Sequence, residues 1–205
     1  MTVAGLLIAL ASTMLAFAGL GMTGHMAAHM GAVAIAAPVL AVGLSTGVRG
    51  VGLAAGDFTP TRVSPLERNG FDSAPLLWAA VEFAVVWAWH VPALRDVADM
   101  SSAVALLEQT MFLGVGVLLW RAALARPAAG VAALLLTSMH MTLLGALIGL
   151  SPRPLYAMMA MHPAPGLNAL ADQQLGGVVM LLVGGASYCL GGLWLLSTLL
   201  RKPAA

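Results

Sequence analysis

The sequence predicts an all-α membrane protein, a polytopic bundle of about six transmembrane helices with both termini cytoplasmic. Three observations carry this expectation. The chain is 60% hydrophobic and 8% charged, with a mean hydropathy of +0.95, whereas a soluble domain carries about a quarter charged residues. Its apolar residues fall in long runs separated by polar or proline-rich links. Its basic residues divide unequally between alternate links.

Runs of roughly 18 or more apolar residues mark candidate spans. Six occur within a single 205-residue domain, over about 3–21, 26–47, 74–92, 102–120, 128–150 and 173–199. The first lacks a basic leading region and is too long for a signal peptide, so it reads as a retained helix. The link 22–25 is so short that the first two helices must form an antiparallel hairpin. Loop 48–73 holds Arg49, Asp57, Arg62, Glu67, Arg68 and Asp72, and loop 151–172 is rich in proline and methionine. Asp172-Gln173-Gln174 opens the last span, where an aspartate suits the N-cap and the helix dipole. The pairs Gly176-Gly177, Gly184-Gly185 and Gly191-Gly192 let neighbouring helices approach this span closely. A homo-oligomer is compatible with them.

Arg49, Arg62, Arg68, Arg121, Arg126, Arg201 and Lys202 fall on one side of a six-span topology, and Arg95 and Arg153 on the other. The positive-inside rule puts the richer side in the cytoplasm, as expected of a multi-pass protein of a bacterial plasma membrane. A net charge of +1 and the lack of a basic cluster give no case for nucleic acid as a partner. The single cysteine, Cys189, excludes a disulfide framework, a Cys-x-x-Cys redox pair and a cysteine-based zinc site.

The chemistry concentrates in His25-Met26-Ala27-Ala28-His29-Met30. On a helix His25 and His29 lie one above the other, with Met22 on the same stripe and Met26 and Met30 on a second stripe about 100° round. Imidazole with thioether favours copper, Cu(I) above all, over hard cations. In the six-span topology His25, His29, His90, His140 and His162 all fall in the outer half. His90 is either a third ligand or an aromatic-belt residue beside the helix-ending Pro92. His140, between Met139 and Met141, is either a ligand or a hydrogen-bonding contact between helices. Asp172 can cap its helix and still touch a metal. His162, with Met158, Met159 and Met161, sits where an ion would first arrive. Glu82 and Glu108 lie inside spans, either as neutral packing residues or as supports for a histidine.

Several segments occur in an order that resembles the CtaG family of membrane-bound cytochrome c oxidase assembly factors, the caa-type oxidase branch. They are His25-Met26-x-x-His29-Met30, Trp89-His90-x-Pro92, Phe112…Gly116…Trp120, Pro154-Leu155-Tyr156 and Asp172-Gln173-Gln174-Leu175-Gly176-Gly177. The resemblance covers most of the chain and implies a helical membrane protein required to build a haem–copper oxidase. It departs from the family pattern at Gln109, where members often carry a histidine.

The function expected is a non-enzymatic copper-handling assembly factor that passes copper from the outer face to an oxidase subunit or another copper protein in the membrane. Two alternatives stand beside it. One is a membrane b-type cytochrome, with His29 and His90 the best pair of haem ligands. The other is a copper permease, against which stand the lack of an inverted repeat and of a polar path through the inner half. Topology is open to a direct test. A His162→Cys variant should be labelled by an impermeant reagent from outside intact spheroplasts; labelling only after lysis would overturn the orientation.

Overall fold

The computed structural model describes the backbone of residues 1–54 and 74–201, and the side chains of 1–45 and 74–201. Asp57, Arg62, Glu67, Arg68, Asp72 and Lys202 lie outside the described residues. All regular structure among the described residues is helical. Helix α1 is Thr2–Ala16. Helix α2 is continuous: Gly21–Met30, a π-helical stretch Gly31–Ala36, then Ala37–Ala54. Helices α3 (Pro75–Trp89), α4 (Pro92–Met100), α5 (Ser102–Ala125), α6 (Pro127–Gly149) and α7 (Ala157–Met161) follow. The last, α8, is Ala169–Val179, a π-helical stretch Met180–Gly184 and Gly185–Leu200.

Four helices are long and apolar enough to cross a membrane: Gly21–Ser45 of α2, α5, α6 and α8. The pair α3 and α4 makes a fifth if it counts as one span bent by 71°. Helix α1, at 15 residues, falls short of that length. The expected link 22–25 is helical, and the break comes earlier. Gly19 and Gly21 adopt φ of +67° and +57°, which L side chains rarely take, so the chain turns there and α2 begins at Gly21. His25 and His29 therefore sit one to two turns inside α2 rather than at its start. The expected link 93–101 is likewise mostly helix α4. Pro75, Pro92 and Pro127 each occupy the first turn of their helix, where the missing N–H costs nothing.

Polar groups turn inward and apolar ones outward. Glu82, Glu108, Arg95, Asp172 and Gln173 are buried, while Leu136, Met139, Leu143 and Leu147 form an exposed stripe on α6. Helix α4 repeats this inversion, with Leu94, Val97 and Met100 outside and Arg95 inside.

The π stretch of α2 has a visible cause. Pro38 has no N–H to offer the carbonyl of Ala34 four residues back, so the regular ladder cannot continue there. The hydroxyl of Ser187 on α8 donates to Ala34 O at 2.6 Å. The Tyr188 hydroxyl lies 3.2 Å from Val33 O and also bonds the carboxyl of Glu82 on α3. Three helices are thereby tied together at one level.

Small residues set the closest approach, between α6 and α8. A Cβ added at Gly145 would stand 2.7 Å from Leu181 N, and one at Gly177 would stand 2.5 Å from Gly149 N. The glycine pair Gly176-Gly177 thus does what membrane helices use small residues for. Gly177→Ala should destabilise the protein by about 1–3 kcal/mol, the usual cost of overpacking. Thermal unfolding in detergent checks this, and an unchanged midpoint would contradict the close approach.

Candidate metal centre

Helix α2 carries His25 and His29 on the face turned to α3 and α5, and His90 ends α3 as its C-cap residue. One ring nitrogen from each of the three lies within 4.8 Å of the other two. Ring centroids are 6.3 Å apart for His25 and His29, 5.7 Å for His25 and His90, and 5.2 Å for His29 and His90. All three side chains are buried. Two imidazole nitrogens on one ion stand up to roughly 4 Å apart, taking zinc–imidazole bonds as a guide. The three nitrogens stand only slightly further apart than that.

The hydrogen bonding fixes how each ring faces this point. His90 Nδ1 lies 2.6 Å from Val86 O. A carbonyl only accepts, so Nδ1 carries the proton and Nε2 keeps its lone pair. That Nε2 is buried with no protein partner, and both ring nitrogens of His29 are in the same position. His29 stacks on Phe112 of α5, centroids 3.8 Å apart and planes 11° from parallel, which locks its ring. His25 differs, because Arg95 Nη1 lies 3.0 Å from its Nδ1 and 3.4 Å from its Nε2. Arg95 Nη1 also lies 2.5 Å from both carboxylate oxygens of Glu108, and Nη2 lies 2.9 Å from Asp99 Oδ1. Glu108 Oε1 is 3.9 Å from His25 Nε2.

The remaining candidates fall around this cluster. Met22, Met26 and Met30 are fully buried in the core. Met22 packs on Gly176 and the Met30 sulfur approaches Gly184, so these two lean towards α8. His140 stands apart from the three-histidine cluster, edge-on to Phe83 with centroids 5.2 Å apart and neither ring nitrogen bonded. His162, Met158 and Met159 line a cavity of about 270 Å³ that reaches His25, Arg95 and Glu108. Gln109 lines the same cavity.

Asp172 does not cap its own helix; Asn168 does that, accepting from Ala171 N at 2.9 Å. Asp172 lies inside the first turn of α8 and reaches across to the start of α2. Its two oxygens accept from Met22 N at 2.8 Å and Thr23 N at 2.9 Å. The first turn of any helix has free N–H groups, and a carboxylate from a neighbour serves them as well as a local cap. Gly21 makes room for it, since a Cβ there would collide with Asp172 Oδ2 and with the backbone at Ala164.

Sequence reasoning missed the three residues that brace the histidines. Arg95 reads in the sequence only as a basic residue of the link 93–101, although its i, i+4 spacing to Asp99 is a signal of a helix there. The Tyr156 hydroxyl donates to His90 O at 3.1 Å, and burial raises its pKa, so it remains a donor. Gln173 accepts from Leu155 N at 2.6 Å and donates to Ile148 O and Arg153 O at 3.2 and 3.3 Å, pinning the loop before α7.

The fold and site define an all-helical protein with helices of membrane-crossing length and a buried three-histidine cluster between three of its helices. The chain belongs to the cytochrome c oxidase caa3 assembly factor family (Caa3_CtaG), whose model matches residues 1–202. No curated protein and no solved structure matches it.

Asp172→Ala should remove both bonds to the start of α2 at a cost of about 1–2 kcal/mol, as for the loss of a strong cap. Asp172→Asn, which keeps one acceptor, should cost less. Thermal midpoints of the two variants in detergent check the order, and equal midpoints would contradict a capping role.

Proposed function

We propose that the protein is a copper-binding assembly factor for a haem–copper cytochrome c oxidase, without enzymatic activity, with His25, His29 and His90 as its ligands. One observation carries the reading: three buried imidazoles converge while His29 and His90 keep nitrogens that no protein group satisfies. Buried polar atoms without partners are rare in proteins, and they cluster where a ligand completes them. Imidazole in a core rich in thioethers suits Cu(I). Paired as ions, Arg95, Glu108 and Asp99 carry one net negative charge, which a singly charged cation balances. Three ring nitrogens within 4.8 Å of one another favour a metal ion over a haem, which takes its axial ligands from two opposite sides.

Membrane placement follows the same reading. Six crossings with both termini in the cytoplasm require α1 to cross beside α2. In support, Gly5 packs on Leu40, Ser12 on Gly31 and Thr2 on Gly43, so α1 runs antiparallel to α2 over most of its length. In this reading the three-histidine cluster and the cavity leading to it lie at the outer face of a bacterial plasma membrane, where copper would arrive for transfer to an oxidase subunit. Met158, Met159 and His162 line the route in, and Met22, Met26 and Met30 supply thioethers in the core beside the histidines of α2.

The double variant His25→Ala, His29→Ala should lose copper binding while remaining inserted, since α2 keeps its hydrophobicity. Metal analysis of purified wild-type and variant protein tests this. Stoichiometric copper retained in the variant rejects these residues as ligands.

A further inference from the structure

The guanidinium of Arg95 is an unexpected neighbour for a cation site, and its hydrogen bonding gives it a role. A neutral imidazole has one nitrogen with a free lone pair, and arginine only donates. Arg95 Nη1 lies 3.0 Å from His25 Nδ1 and 3.4 Å from its Nε2, so whichever nitrogen holds the lone pair of His25 already faces this donor. His25 Nε2 also faces Glu108 Oε1 at 3.9 Å. His25 therefore cannot bind a metal ion and accept from Arg95 at the same time. His29 and His90 meet no such competitor.

We propose that Arg95 competes with the bound metal ion for His25 and so acts as the element that eases release. This rests on the copper reading of the three-histidine site. The exchange costs little, because Glu108 and Asp99 hold the guanidinium in place whether or not it is bonded to His25. Arginine's planar fork suits this, since one nitrogen group stays on Asp99 while the other lies between Glu108 and His25. The three groups are buried or packed beside the cavity that opens to His25, so the competitor sits on the path by which an ion enters and leaves. His29 and His90 form the permanent pair, and His25 is the ligand that comes and goes. A metal-transfer protein needs one such ligand, because an acceptor can take hold only where a donor has let go.

The test is the rate at which Cu(I) passes from the full-length protein in detergent to a colorimetric chelator. The variant pair R95L/E108Q removes the competing donor without stranding a buried carboxylate, a neutral replacement that buried ion pairs often tolerate. Transfer should slow about tenfold, the equivalent of one charge-assisted hydrogen bond. With His25→Ala added to both backgrounds the difference should shrink to less than about twofold, since the competition then has no object. An unchanged rate in R95L/E108Q, or the same slowing without His25, overturns the proposal. A second comparison uses single histidine variants alone and so does not depend on how that pair folds. His25→Ala should weaken Cu(I) binding by no more than about tenfold, and His29→Ala or His90→Ala by clearly more. Equal losses from all three overturn the role of Arg95. A wild-type protein that takes up no Cu(I) rejects the copper reading itself, a result distinct from copper uptake with unchanged release.

Discussion

A polar group buried in an apolar bundle has no water to turn to, so another protein group must satisfy it. Most of this architecture follows from that constraint. The carbonyls freed by Pro38 are met by Ser187 and Tyr188 from α8. The open N–H groups at the start of α2 are met by Asp172 from the same helix. Arg95 is met by Glu108 and Asp99. Each solution joins two helices, so satisfying polar groups and assembling the bundle are one process. The nitrogens of His29 and His90 find no such partner, and neither do those of His140 or the amide of Gln109.

The motifs that mark the family divide into two kinds. His25, His29 and His90 form the cluster. Tyr156, Asp172 and Gln173 touch no imidazole, yet they fix the carbonyl of His90, the first turn of α2 and the loop between α6 and α7. The histidines come from two helices, and neither helix alone determines where its ring lies relative to the other. Supports from α8 and the loop between α6 and α7 supply that information.

Much of the fold was legible in the sequence because apolar run length and helical periodicity act locally. The helices, the closeness of α8 to its neighbours and the pairing of His25 with His29 all follow from spacing along one element. What was not legible depends on contacts between elements. The run 74–92 reads as one span, and α3 fills it to Trp89, but α4, which leaves it at 71°, falls where the sequence shows only a link. The start of α2 was hidden because Gly19 and Gly21 sit in an apolar context, and only their positive φ reveals the turn. Asp172 looked like a cap for its own helix because a carboxylate near any helix start satisfies the same local rule. Which helix it serves depends on packing. Arg95 was invisible as a site residue for the same reason, since nothing in the sequence says which face of a short amphipathic helix turns inward in a membrane protein.

The π stretch in α2 bears on how this protein can change over time. A π turn amounts to one residue inserted into an α-helix, and one residue turns everything beyond it by about 100°. The outer segment of the proposed topology, Gly21–Met30, and the segment from Ala37 are thus two helices in different rotational phase, joined without a break. The phase of the outer segment directs His25 and His29 towards His90. Loss of a single residue between Gly31 and Ala36 would leave the length of the span almost unaltered while swinging both rings away from their partner. Within this stretch an indel is a sharper threat to function than most substitutions. Related chains that keep the three-histidine cluster are therefore expected to hold the spacing between His29 and Pro38 constant.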